Sequence, residues 1–149
     1  MSLYEKFQKD MIDAMKNKDK DRLSVIRMVK GAMQLEHINQ KKEMNEELLI
    51  DVVSKQIKMR KDSIEEFKKG NRNDLIEKTQ SEIDILNDYL PKQLTEEEVE
   101  EIIEDAINKV KPTSAKEMGL IMKEVSPKLK GKADMKVVSN KIRERLTSL

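Results

Sequence analysis

The chain has 149 residues and a net charge of +1, with 40% charged and 3% aromatic residues. It contains neither cysteine nor tryptophan, so disulfides and thiolate chemistry are excluded. Glycine and proline are sparse, and the abundance of Lys, Glu, Leu, Ile and Met favours helices over strands. The longest apolar runs, such as ELLIDVV, are too short to span a bilayer, so we expect a cytoplasmic protein without a membrane partner.

Apolar residues recur at helical spacing along the first ninety residues and predict four helices. Cap residues precede each of these apolar stripes. The predicted N-terminal caps are Ser2 with Glu5, Asp19 or Asp21, Asn45, and Asn73. Gly70 is expected to end the third helix, and Pro91 to stop the fourth.

Three shorter helices are predicted after the stretch PKQLT, which marks a boundary. Their predicted caps are Thr95 with Glu98, Ser114 with Glu117, and Asp134. The predicted fold is therefore all-α. An N-terminal domain of about four longer helices (residues 1–92) precedes a small three-helix C-terminal domain (residues 93–149).

The nearly neutral total charge hides two segments of opposite sign. Residues 95–105 hold seven acids and no base. Residues 106–149 hold eleven bases and four acids, a net charge of +7. A basic terminal segment of this kind is typical of nucleic-acid binders, although charge runs are also common on solvated faces.

The stretch PKLKGKAD, from Pro127 to Asp134, is the main candidate site. Gly131 allows a positive φ, and the lysines around it can reach phosphates. The alternative is a plain turn, in which Gly131 ends one helix and Asp134 caps the next. The predicted phosphate-binding residues are Lys128, Lys130, Gly131, Lys132, Lys136, Lys141, Arg143 and Arg145.

Other polar residues give weaker signals. The stretches RKDSIEEF and NRNDL (residues 60–67 and 71–75) form either a polar docking site or, as we favour, a salt-bridged hairpin. His37 is the single histidine, without a spaced catalytic partner, so we expect no catalytic residue. No metal or cofactor motif is present in the sequence. The four aromatic residues lie beside apolar stripes and are expected in the core, which leaves none for stacking on bases.

Five stretches in order resemble the YqeY-type proteins of the GatB/YqeY family. They are RKDSIEEF, NRNDL, YLPKQLTEEEV, MGLIMKEV and KGKAD, and the resemblance runs the whole length of the chain. The C-terminal part is similar to the tail domain of GatB, a subunit of the glutamine-dependent amidotransferase that amidates misacylated tRNA. The family implies an all-helical, two-part fold whose tail contacts tRNA. One position departs from the pattern, since Met135 stands where the family often has glycine after KAD.

Two functions follow from the residues and the resemblance together. The first is a tRNA-binding accessory module, related to the tRNA amidotransferase but itself non-catalytic, because nothing here resembles the catalytic core of GatB. The second is a helical protein–protein interaction module with no nucleic-acid role, in which the acidic fifth helix and the basic tail dock onto another protein.

Overall fold

All regular secondary structure in the part of the chain that the structure describes is helical. The computed structural model describes residues 1–148, apart from the side chain of Ala115. The α-helices are α1 (Leu3–Lys16), α2 (Lys20–Gln40), α3 (Glu46–Lys69), α4 (Asn73–Asn87), α5 (Glu96–Val110), α6 (Met118–Leu129) and α7 (Met135–Thr147). The predicted all-α fold class is confirmed, whereas Leu149 lies outside the described residues. Within residues 1–148, no helix is long and apolar enough to cross a membrane.

The helices form two compact units, the first being Met1–Pro91 and the second beginning at Lys92. In the first unit, α2 packs against α1, α3 and α4, and α3 also packs against α1 and α4. The largest fully buried side chains of this core are Ile26, Met33, Leu49, Leu86 and Tyr89. Burial of each aliphatic side chain contributes about 1.5–3 kcal/mol.

In the second unit, α6 packs against both α5 and α7. Its buried residues come from all three helices: Val99, Ile103, Ala106, Ile121, Val125, Leu129, Val138, Ile142 and Leu146. The expected contrast between longer and shorter helices is only partial, because α4 and α5 both have 15 residues.

Most predicted caps are present. The side chains of Ser2, Asp19 and Asn45 each accept a hydrogen bond from the backbone N–H three residues later. Thr95 and Glu98 form a complete capping box, in which each side chain bonds the backbone of the other. Gly70 is the C-terminal cap of α3, as expected.

Asn73 is not the N-terminal cap of α4, contrary to the prediction. It is the first helical residue, and the preceding Arg72 makes no side-chain capping bond. The Arg72 guanidinium instead donates to both carboxylate oxygens of Asp74, at 3.2 and 3.1 Å. This local ion pair organises the turn between α3 and α4.

The predicted capping box of Ser114 and Glu117 is also wrong. The Glu117 carboxylate accepts from the backbone N–H and the hydroxyl of Thr113, at 3.2 and 2.9 Å. Because Glu117 is engaged there, a short 3₁₀ turn (Ala115–Glu117) comes first and α6 begins only at Met118.

Candidate nucleic-acid interface

The KGKAD stretch forms a tight corner between α6 and α7, which we call the α6–α7 corner (residues 130–134). Gly131 has a φ of 75°, a left-handed conformation that favours glycine. The backbone N–H groups of Lys132 and Ala133 both donate to the carbonyl of Leu129, at 2.9 and 3.1 Å. Gly131 therefore turns the chain after α6, as the sequence predicted.

The corner is held in place by a pair of residues that precede α5 in the chain. The side-chain amide of Gln93 donates to the Gly131 carbonyl at 2.7 Å. The backbone N–H of Leu94 donates to the Lys132 carbonyl at 2.9 Å. The sequence analysis missed both anchors, because contacts across 38 residues leave no periodic signal. They fix the backbone of the corner while the side chains of Lys130 and Lys132 stay exposed.

Asp134 occupies the N-terminus of α7, as predicted. Its carboxylate accepts from the backbone N–H of Lys136 at 3.0 Å. A carboxylate at this position satisfies one of the first amides and repels an anion there. Any phosphate near the corner is therefore left to the lysine side chains rather than to the amides of α7.

The bases of α7 separate onto two sides of the helix. Lys141 lies on the side that meets α5, where its ammonium pairs with Glu96 at 2.8 Å and Glu100 at 3.1 Å. The Arg145 guanidinium, one turn later, pairs with Glu104 of α5. These carboxylates raise the pKa of Lys141, and the hydrogen bond from Lys141 lowers the pKa of Glu96. Two of the predicted phosphate contacts are thus engaged by the chain's own acids.

Lys136 and Arg143 lie on the other side of α7. They are seven residues apart, or about two helical turns, and both are exposed. Within residues 1–148, no carboxylate oxygen lies within 4 Å of the charged nitrogens of Lys136 or Arg143, or of those of Lys128 and Lys132. The predicted set of cations therefore does not form one continuous surface. It includes four open side chains, those of Lys128, Lys132, Lys136 and Arg143, and a pair, Lys141 and Arg145, held against α5.

The electrostatics of the second unit differ from those of its basic segment alone. Residues 92–149 contain twelve bases and eleven acids, a net charge of +1. Because α5 brings its acids against α7, the net charge of +7 in residues 106–149 is largely compensated within the unit.

A groove of about 260 Å³ lies beside the corner. Its lining consists of Gln93, Leu94, Glu96, Val99, Lys132, Ala133, Asp134, Val137, Val138 and Lys141. Lys132, which is open, and Lys141, which is paired with Glu96, thus line the same groove. We assign no ligand to this groove.

The polar residues of RKDSIEEF and NRNDL do not gather into one site. Arg60 donates to the Gln56 side chain at 2.7 Å and lies 3.7 Å from Glu82. Arg72 pairs locally with Asp74 at the α3–α4 turn. These contacts fit the salt-bridged hairpin that the sequence analysis favoured.

His37 and the aromatic residues offer little chemistry. The His37 ring nitrogen lies 2.5 Å from the Lys42 carbonyl, an arrangement that organises the end of α2. Phe7 and Tyr89 are buried and meet edge to face, with ring centroids 5.3 Å apart. Tyr4 and Phe67 are half-buried, so none of the four offers an open ring for stacking. Among the described residues, no group of three or more His, Asp or Glu side chains could hold a metal ion.

The sequence analysis did not anticipate a polar network around Tyr89 in the first unit. The Tyr89 hydroxyl donates to Asp10 at 2.8 Å and accepts from Arg22 at 3.1 Å. Arg22 also donates to Asp88 at 2.9 Å. Burial, with the Asp10 bond, raises the pKa of Tyr89. The network joins α1, α2 and the end of α4, and all its members have partners, which indicates a structural role.

Comparison with known proteins gives a family and several relatives. A family model described as Yqey-like protein matches residues 4–146. The protein named Altered inheritance of mitochondria protein 41, mitochondrial, from Pyrenophora tritici-repentis is 35% identical over 146 residues, which cover 93% of this chain and 78% of that protein. The protein of the same name from Candida glabrata is 30% identical over 146 residues, 95% of this chain and 80% of that protein.

The Lachancea thermotolerans protein of that name is 46% identical over 84 residues, 56% of this chain and 45% of that protein. The names of all three relatives place those proteins in mitochondria. The comparison therefore contradicts the cytoplasmic location expected from the sequence, and that expectation is wrong.

Proposed function

Since the chain belongs to the Yqey-like protein family, as its sequence motifs predicted, we propose that it is a tRNA-binding accessory module related to the glutamine-dependent tRNA amidotransferase. The chain itself performs no reaction in this proposal. Its second unit, which resembles the GatB tail, contacts the phosphates of the tRNA.

The observation that carries the proposal is the anchored α6–α7 corner. Gln93 and Leu94 fix its backbone, so its lysines project from a rigid turn rather than from a mobile loop. Rigid placement reduces the entropy lost when the lysines bind phosphates. The proposed contacts are Lys128, Lys130 and Lys132 around the corner, with Lys136 and Arg143 on the open side of α7. Lys141 and Arg145 are assigned instead to the α5 ion pairs.

Recognition in this proposal depends on the phosphate backbone. Sequence-specific RNA recognition usually uses exposed aromatic rings for base stacking, and the four rings of this chain are buried or half-buried. Lysine contacts to phosphates position a protein without reading sequence. We therefore expect binding that follows the shape of the tRNA and weakens steeply with salt.

The test is a double charge reversal at Lys128, in the last turn of α6, and Lys132, in the corner. Lys128→Glu with Lys132→Glu should lower the affinity for tRNA at least about tenfold, because two phosphate contacts become repulsive. Both side chains are exposed, so helicity and thermal unfolding should stay unchanged. Fluorescence anisotropy with a labelled, unfractionated tRNA measures the affinity.

The matched control is Lys58→Glu with Lys61→Glu, which makes the same change in net charge at exposed positions of α3 in the first unit. This variant should bind tRNA within about twofold of wild type. Equal loss in both variants would reveal only a general charge effect. Failure of the wild-type protein to bind tRNA at low salt would reject the proposal.

A further inference from the structure

The outer side of α2 carries an apolar stripe that the first unit does not bury. We name Met28, Gly31, Leu35 and Ile38 the α2 outer face. These residues are three, four and three positions apart, which is the alternating spacing of the apolar residues where two helices meet in a coiled coil. Met28 is 40% exposed, Leu35 61% and Ile38 71%, although the opposite side of α2 lies in the core. Leu35 therefore lies outside the core of the first unit.

Gly31 is the second observation that points to a partner helix. It lies in the middle of α2, where glycine is the weakest helix former apart from proline. A Cβ atom added at Gly31 would meet no heavy atom within 4 Å, so the packing of this unit does not require glycine there. A missing side chain on an exposed seam lets the backbone of a second helix approach closely, because the side chains at the contact set the distance between helix axes.

The charge beside the seam indicates the chemistry of the partner. Two bases, the exposed Arg27 and the half-buried Lys30, lie in the row next to the α2 outer face, and the neutral Gln34 follows Arg27 by one heptad. The two acids of α2 do not offset these bases. Asp21 lies in the first turn, and Glu36 is paired with Lys42 at 3.3 Å and Lys55 at 2.8 Å. A basic row next to an apolar seam is complementary to an acidic row on the partner.

We propose that the α2 outer face binds an amphipathic helix of another protein, one with aliphatic residues at heptad spacing and glutamate or aspartate beside them. A second copy of this chain fits less well, because both helices would present the same basic row. The surface lies in the first unit and does not depend on the proposed tRNA contacts.

The experiment uses the full chain and two synthetic helical peptides of about 20 residues, long enough for helix formation. Both peptides carry leucine at heptad spacing, one with glutamate beside the seam and the other with lysine. Anisotropy of the labelled glutamate peptide should show binding at least about tenfold tighter than that of the lysine peptide. Leu35→Glu should weaken glutamate-peptide binding at least about tenfold, and Gly31→Leu should do the same by blocking close approach.

Met15→Glu is the matched control, since Met15 is 44% exposed on α1, outside the α2 outer face. Unchanged peptide binding in this variant, together with loss in Leu35→Glu, supports the proposal. Equal binding of the two peptides, or no binding of either, overturns it. A wild-type dimer in sedimentation that Leu35→Glu dissociates would identify a second copy as the occupant. Binding to phosphatidylglycerol vesicles without peptide binding would identify a lipid surface, and either result overturns the helix proposal.

Discussion

The salt dependence of tRNA binding counts the phosphates that the protein neutralises. The proposed set has five cations, Lys128, Lys130, Lys132, Lys136 and Arg143. At about 0.7–0.9 per phosphate, the logarithm of affinity should fall with the logarithm of salt with a slope of about −3.5 to −4.5. From about 50 to 200 mM salt, affinity then falls about 100–500-fold. If Lys141 and Arg145 also bound phosphates, the slope would be about −5 to −6 and the fall about 900–6,000-fold.

The two sides of α7 provide matched variants with the same change in charge. Lys136→Ala with Arg143→Ala removes the open side and should reduce the slope to about −2.1 to −2.7, a fall of about 20–40-fold over the same range. Lys141→Ala with Arg145→Ala removes the side paired with α5. This second variant should keep the slope of the wild type, because its side chains neutralise the chain's own carboxylates.

The assay is anisotropy of labelled tRNA at several salt concentrations, with circular dichroism on each variant to confirm helicity. A slope that changes equally in both double variants would refute the division of α7 into an open and a paired side. A larger change for Lys141→Ala with Arg145→Ala would show that tRNA displaces the α5 carboxylates. That result would restore these two residues to the interface.

Three further predictions concern the stability of the first unit. The hydrogen bond from Lys55 lowers the pKa of Glu36. The stability that this pair contributes is therefore fully present above the pKa of an unfolded glutamate, about 4.3. It is lost as pH falls through the lowered pKa of the folded state. Denaturant unfolding at several pH values should therefore show that the free energy of unfolding falls less on acidification in Glu36→Gln than in wild type. Tyr89→Phe removes two hydrogen bonds and should destabilise the unit by about 1–2 kcal/mol in denaturant unfolding. Gly31→Ala should stabilise α2 by about 0.5–1 kcal/mol, raising Tm by about 2–8 °C in calorimetry.

Each of these variants has a control. Glu77→Gln changes an exposed acid of α4 and should leave the pH profile as in wild type. Tyr4→Phe changes a half-buried tyrosine and should cost less than Tyr89→Phe. Gly131→Ala should lower stability rather than raise it, because the φ of 75° is unfavourable for alanine. If acidification lowers the free energy of unfolding equally in Glu36→Gln and wild type, the explanation of the Glu36 pair is contradicted. Unchanged stability in Tyr89→Phe, or lowered stability in Gly31→Ala, would contradict the explanation given for that variant.

Local signals in the sequence predicted the helices well. The spacing of apolar residues gave all seven, because a buried helix face repeats every three to four residues. Capping by Asn45 and Thr95 was also predictable, since a capping bond joins residues three apart in the chain. The failure at Glu117 arose because Thr113 takes the carboxylate that the predicted box with Ser114 required. At the start of α4, the helix begins one residue earlier than predicted, so Asn73 is helical rather than a cap.

The sequence by itself determined the all-α fold, the family and the position of the corner at Gly131. Only the tertiary structure decided which cations remain open, because the pairs of Lys141 with Glu96 and Glu100 join residues 45 and 41 positions apart. It also decided that Leu35 is exposed while its helix is central to the core. Periodicity identifies an apolar face, but whether another helix covers that face, or an acid reaches a base, depends on how distant segments pack.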